Sequence, residues 1–162
     1  DNLGSQRPST NFATEPIRNL LKNNPDIDPS KLDKIKQLMN AHVPDCLVEG
    51  YEPLIDGLTL QDADDRHVVA AAIKGQAESI ITFNLKDFPA RELDPLGLSA
   101  IHPDEFLCDM FDLDSSACIK AAQQQRGSLK RPPMSQDEFL ACLQKQQLPS
   151  FVSKLKNFKL ML

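Results

Sequence analysis

Four aspartates near the middle of the chain are the residues whose types and spacing could do chemistry. Asp62, Asp64 and Asp65 crowd the start of the stretch LQDADDRHVVAAA, and Asp87 follows within TFNLKDF. One carboxylate is enough to cap the N-terminus of a helix. Close carboxylates also repel one another unless a cation neutralises them. The cluster therefore indicates more than helix capping.

Two elements must position these acids, a helix over residues 64–74 and the strand SIITF over 79–83. The helix is small or apolar nearly all round and ends at Gly75, so we expect it to pack against a sheet. A short, continuous apolar run such as SIITF is typical of a buried parallel strand. The short link is roughly antiparallel, so the helix start and the strand's carboxyl end should meet at one edge. In open α/β sheets, sites form at that edge.

The predicted edge collects oxygen ligands. Asp65 lies at the helix start, Thr82 and Asn84 lie at the strand end, and Asp87 follows three residues later. Oxygen ligands of this kind suit Mg²⁺ or Mn²⁺. Magnesium held by carboxylates and completed by phosphate oxygens implies phosphodiester chemistry. The residues alone leave open a metal nuclease, a carboxylate-rich phosphatase or similar hydrolase, and an acidic loop without a metal.

The alternation of helix, strand and helix predicts an α/β layered sheet over the first part of the chain. Residues 1–13 are polar and rich in Gly, Pro, Ser and Asn, which predicts a loop or a loosely ordered arm. A second strand is predicted at LSAI, residues 98–101. We therefore assign residues 1–113 to one α/β domain.

The character of the sequence changes after residue 113. Three helices are predicted and no strand pattern remains. The middle helix opens with a capping box formed by Ser135 and Glu138. We therefore expect a small helical C-terminal extension over residues 114–162.

Charge is unevenly distributed along the chain, whose net charge is −5. Residues 115–162 carry eight Lys or Arg against two acids, a net +6, and residues 1–114 therefore carry −11. Such asymmetry is typical of an acidic centre beside a basic docking surface. The alternative is a basic helical tail that only neutralises an acidic body.

Composition excludes several classes of protein. No run of eighteen apolar residues occurs, so no membrane span is predicted. The four cysteines lie among apolar residues and fit no zinc spacing, which predicts buried, reduced thiols in a cytoplasmic protein. Trp is absent and Tyr51 is the only tyrosine, which argues against an aromatic stacking platform for single-stranded nucleic acid.

The acidic stretch also resembles a known family. DADDRHVVAAAIKGQAESIITFNLKDFP is similar to the third and fourth acidic motifs of PIN-domain ribonucleases. More narrowly, it resembles VapC-type toxins whose PIN domain is followed by a helical C-terminal extension. VEGYEPLIDGLTL and HPDEFLCDMFDLD on either side are similar to that group as well. The resemblance implies a PIN-like three-layer α/β/α fold with a parallel sheet, and metal-dependent hydrolysis of RNA with Mg²⁺ or Mn²⁺.

The resemblance also implies roles for particular residues. Asp65 and Asp87 match two of the family's acids and are expected to be catalytic metal ligands. Glu15 resembles a further catalytic acid on an early helix, and Asp62 is a candidate third metal ligand. Supporting roles are expected from three neighbours, Thr82, Asn84 and Asp64. Contacts with RNA are expected from three basic residues, Arg66, Lys130 and Arg131, although Arg66 could instead meet an antitoxin carboxylate.

The N-terminus departs from the family pattern. PIN domains begin with an apolar strand that ends in a catalytic Asp, and nothing in residues 1–14 resembles it. We therefore expect that strand and its Asp to be absent from this chain. The partners implied by the resemblance are an RNA substrate, a cognate antitoxin protein and a second copy in a homodimer. The alternative is a truncated or inactive PIN-like module that acts by binding protein or RNA.

Overall fold

The computed structural model describes residues 48–60, 62–130 and 132–162, together with residue 37. The expectations for Glu15, for Arg131 and for the N-terminal arm and first strand fall outside these residues. The chain divides into two compact units. The described residues of the first unit lie within Asp1–Ile80 and Asp87–Ser99, and those of the second lie within Ile81–Lys86 and Ala100–Leu162.

The described part of the chain is mostly helical. Its elements in chain order are α1 (Glu52–Ile55), a 3₁₀ turn (Ala63–Asp65), α2 (Arg66–Lys74), β1 (Ser79–Ile81), a 3₁₀ turn (Leu85–Asp87), α3 (Ala90–Leu93), a 3₁₀ turn (Asp94–Leu96), β2 (Ser99–Ile101), α4 (Pro103–Leu113), α5 (Ser115–Ser128), α6 (Gln136–Lys145), α7 (Pro149–Lys156) and a 3₁₀ turn (Lys159–Met161). Both predicted strands and all three predicted C-terminal helices are confirmed. The architecture is consistent with the α/β class.

The two strands form a small parallel sheet. Ser99 N–H donates to the carbonyl of Glu78 at 3.0 Å, and Thr82 N–H donates to the carbonyl of Ile101 at 3.0 Å. Bonds that step along both strands in the same direction define a parallel ladder. β1 ends two residues earlier than predicted, because Asn84 N–H turns back to the Thr82 hydroxyl at 3.1 Å. A local bond of this kind competes with the sheet ladder.

Helix α2 is anchored in the first unit by small residues. Ala70 and Ala71 are buried together with Tyr51, and three apolar side chains pack around them, Val48, Ile55 and Leu58. Alanine lets an aromatic ring approach the helix closely without leaving a void. The face that the sequence predicts to pack against a sheet is thus buried against Tyr51 and the α1 segment.

The second unit has a core built from α4, α5, α6 and α7. Phe111, Leu140, Val152 and Leu155 are among its buried members. The predicted capping box is present at the start of α6, where Ser135 and Glu138 bond reciprocally. Within the described residues, no helix is long and apolar enough to cross a membrane.

The described cysteines Cys108, Cys118 and Cys142 are free thiols, as predicted, and Cys46 lies outside the described residues. They are half-buried rather than fully buried, and Cys108 and Cys118 pack against the core of the second unit. Partial burial raises the pKa of Cys108 and Cys118 above the usual thiol value, so the neutral thiol dominates at neutral pH.

Candidate metal centre

The acidic residues before α2 do not share one structural task. Asp62 caps the 3₁₀ turn, since its Oδ1 accepts the Asp64 N–H at 2.9 Å. Asp65 occupies the N-cap position of α2, yet its side chain accepts no capping bond from the described helix. Asp87 closes the 3₁₀ turn Leu85–Asp87 and is followed by the buried Phe88. Helix capping thus explains Asp62 and leaves the Asp65 carboxylate unexplained.

Three of the four predicted acids come together in the first unit. Asp62, Asp65 and Asp87 each offer a carboxylate oxygen, and these oxygens all lie within 4.8 Å of one another. Asp62 is exposed, and the other two are half-buried. Two oxygens on one Mg²⁺, each about 2.1 Å from the ion, are at most about 4.2 Å apart. A small closing movement would therefore let the three carboxylates share a cation, so the residues fit the implied metal.

The electrostatics of Asp65 agree with that fit. Burial raises the pKa of Asp65 above its usual value, and the charges of Asp62 and Asp87 raise the pKa further. The nearby His67 lowers the pKa, and Asp64 adds a smaller increase. Negative charge is therefore concentrated where part of the solvent has been removed. A divalent cation would relieve this repulsion and favour the ionised carboxylate.

Asp64 and His67 contact each other at the start of α2, and the part of Asp64 in the acidic site stays a prediction. The Asp64 backbone oxygen lies 2.6 Å from His67 Nδ1. A carbonyl can only accept, which places the proton on Nδ1. From the sequence, Asp64 is predicted as a supporting residue, and His67 as a packed or solvent-facing residue rather than a phosphate contact. The observed contact joins the His67 side chain to a backbone carbonyl three residues earlier, which a pattern of side-chain types does not show.

The remaining predicted residues are distributed as follows. Thr82 and Asn84 belong to the second unit, and their part in the acidic site stays a prediction. Arg66 begins α2 and is half-buried; its Nε atom is buried and has no hydrogen-bond partner among the described residues. Lys130 is exposed and forms an isolated bridge with Pro133.

Comparison with known proteins adds a family to this geometry. A family described as the VapC50 C-terminal domain matches residues 103–157, which begin at α4 and include α7. A curated protein of Mycobacterium tuberculosis, named "Putative ribonuclease VapC50", is 37% identical over 108 residues. The match covers 67% of this chain and 63% of that protein. No solved structure matches the chain significantly.

These two matches support membership of the chain in the VapC-type PIN ribonuclease family. The resemblance to this family, which rests on the acidic motifs, is thereby confirmed. The match spans less than two thirds of that relative's length.

Proposed function

We propose that this chain contributes the metal centre of an endoribonuclease of the PIN/VapC toxin type. Asp65 and Asp87 are its principal ligands for Mg²⁺ or Mn²⁺, and Asp62 is the third. The observation that carries the proposal is the convergence of three carboxylate oxygens within 4.8 Å. The ribonuclease name of the relative supports the same reaction.

The residues of the chain contribute position and charge to hydrolysis of the phosphodiester bond. Asp65 and Asp87 sit on 3₁₀ turns, and a buried residue follows each turn in the chain, Val69 within α2 and Phe88 directly after Asp87. Partial burial strengthens the attraction of their carboxylates for a cation. When bound, such an ion supplies Lewis-acid stabilisation of the charge that develops on the phosphate. Glu15 would act as a further ligand or orient the attacking water.

The finer architecture and the partners belong to the same proposal. Residues 1–113 form a PIN-like three-layer α/β/α domain, and residues 114–162 form the helical extension. The basic residues Arg66, Lys130 and Arg131 contact the RNA backbone. A cognate antitoxin protein blocks the acidic site, and the toxin works in the cytoplasm as a homodimer.

The test is cleavage of single-stranded RNA by the purified chain in Mn²⁺, with EDTA as the metal-free reference. Asp65→Asn should reduce the rate by at least about 100-fold, the scale of loss when one preorganised charge is removed from an active site. Asp94→Asn is the matched control, because Asp94 is an exposed aspartate of the same unit outside the cluster. It should cleave like the wild type.

The outcomes separate the competing activities. Metal-dependent cleavage that requires Asp65 supports the ribonuclease. Hydrolysis of a small phosphoester in preference to RNA would instead indicate a phosphatase. A folded chain that binds RNA without cleaving it would contradict the proposal and indicate a PIN-like binding module.

A further inference from the structure

One exposed aromatic side chain lies two residues after β1. Phe83 has 53% of its surface exposed to solvent, which is a large fraction for a phenylalanine. It lies between the polar residues Thr82 and Asn84, and Lys86 follows three residues later. The Phe83 ring therefore offers an apolar surface to solvent beside polar groups.

The position of the Phe83 ring is fixed on two sides. Thr82 is tied to β2 through its N–H, and Asn84 N–H is bonded to the Thr82 hydroxyl. The Phe83 ring makes an edge contact with the His102 imidazole, with centroids 5.2 Å apart and planes at 85°. His102 is itself fixed, because its Nδ1 accepts the Asp104 N–H at 3.1 Å and so caps α4. An aromatic surface held in this way loses little conformational entropy when it stacks on a ligand.

Chain connectivity sets how far Phe83 lies from the acids. Four residues of fully extended chain span about 14 Å at most, so the Cα atoms of Phe83 and Asp87 cannot be further apart than that. A base stacked on Phe83 would thus be held by a residue that is close along the chain to Asp87.

We propose that Phe83, held by His102, is a base-stacking platform that positions single-stranded RNA for cleavage. This inference rests on the proposed ribonuclease function and adds a substrate-positioning residue to it. Every base offers a π-face, so stacking on an aromatic side chain binds RNA with little sequence preference. The chain's lack of Trp does not prevent this, since one well-placed Phe offers the necessary surface.

The absence of Trp from the chain provides a direct test. Phe83→Trp introduces a single tryptophan, whose fluorescence falls when a nucleobase stacks on the indole. The titration uses short single-stranded RNA in EDTA, so that binding is observed without cleavage. Phe106→Trp is the matched control, because Phe106 is also an exposed phenylalanine of the second unit. Inorganic polyphosphate is the ligand control, since it carries the charge of RNA without bases.

The proposal predicts that RNA quenches the Phe83→Trp protein, that polyphosphate does not, and that Phe106→Trp responds to neither. Phe83→Leu should bind RNA about 5- to 100-fold more weakly, the effect of losing one base–aromatic stack, whereas Phe83→Tyr should retain binding. Unchanged RNA affinity in Phe83→Leu together with no quenching would overturn the inference, as expected if Phe83 docks a protein.

The two proposals can fail separately. Quenching of Phe83→Trp without any Mn²⁺-dependent cleavage would retain the platform and reject the ribonuclease. Cleavage that requires Asp65 but is indifferent to Phe83 would retain the ribonuclease and reject the platform. Circular dichroism of each variant confirms that the compared proteins are folded.

Discussion

At the scale of single residues, the Asp65 carboxyl group shows how an acid at the start of a helix can differ from a helix cap. It occupies the N-cap position of α2 without a side-chain capping bond to the described helix, and its oxygen lies within 4.8 Å of those of Asp62 and Asp87. Crowding of three carboxylates destabilises the metal-free fold. Repulsion among the three carboxylates therefore lowers the stability of the metal-free protein, and a bound cation would remove that repulsion.

Asp65→Asn should consequently raise the melting temperature of the metal-free protein at neutral pH. The folded-state pKa of Asp65 is raised, so the folded state binds its proton more tightly than the unfolded state does. Wild-type stability should therefore recover as the pH falls through that raised pKa, and the advantage of the variant should shrink. Thermal melts in EDTA across pH measure this. A variant that is less stable than wild type at neutral pH would contradict it.

At the scale of elements, the buried alanines of α2 set the position of the helix, and with it the position of Asp65 at the helix start. Ala70 is completely buried, and its face meets Tyr51 in the core of the first unit. Ala70→Leu should lower the free energy of unfolding by about 1–3 kcal/mol, the usual cost of overpacking. RNA cleavage should fall as well, because the start of the helix would shift. Chemical denaturation and the cleavage assay test both parts, with the exposed Ala141 of α6 changed to Leu as the control. Equal stability of wild type and Ala70→Leu would contradict the packing.

A second element-scale contact joins α4 to α7. The buried Asp104 accepts the N–H groups of Ser150 at 2.9 Å and Phe151 at 2.8 Å, and so caps α7. Burial alone would raise the pKa of Asp104, but the bonds from Phe151 and Ser150 bring it below its usual value. A lowered pKa means that the carboxylate stabilises the fold above the unfolded value of 3.8. That contribution is lost as the pH falls through the lowered pKa.

Asp104→Asn should therefore lower the free energy of unfolding by about 1–3 kcal/mol at neutral pH, since an amide presents an NH₂ group to one of the two donors. The deficit should narrow in strong acid, where the wild-type carboxylate also becomes protonated. Denaturant titrations at several pH values measure it. Asp112→Asn is the control on the same helix as Asp104. It removes an exposed ion pair with Lys154 and should cost well under 1 kcal/mol. Similar losses in the two variants would argue against the cap.

Some of these features can be predicted from the sequence, and others cannot. The grouping of Asp62, Asp65 and Asp87 could be anticipated, because the helix and strand that carry them are neighbours in the chain. The end of β1 was misplaced, because the bond between Asn84 N–H and the Thr82 hydroxyl is invisible to an apolar pattern. The Asp104 cap was not foreseen, since its partners are 46 and 47 residues away.

Composition alone does not show which side chains meet. A count of Trp and Tyr argues against a stacking platform, and the edge contact between Phe83 and His102, on which the proposed platform rests, could not be read from that count. The predicted roles of Thr82 and Asn84 in the metal site, and the predicted boundary at residue 113, remain predictions.

At the scale of the whole molecule, the uneven charge should appear as salt-dependent RNA binding. Each phosphate contact on single-stranded nucleic acid contributes about −0.7 to the slope of log affinity against log salt. Replacing Lys130 and Arg131 by Gln should therefore make the slope shallower by about 1.4. Binding in EDTA at several salt concentrations measures it. The control double variant replaces Lys120 and Lys145, two exposed lysines on α5 and α6. An equal change in both double variants would show that only total charge matters.

The central claim is that Asp62, Asp65 and Asp87 form a divalent-cation site. Calorimetric titration of Mn²⁺ into the metal-free protein tests it most directly, with Asp65→Asn, Asp87→Asn and the Asp94→Asn control measured alongside. We predict saturable Mn²⁺ binding by the wild type and by Asp94→Asn, and affinities at least about 10-fold weaker when either cluster acid is changed, since each substitution removes an anionic oxygen ligand. Mn²⁺ binding that is the same in all four folded proteins would contradict the account.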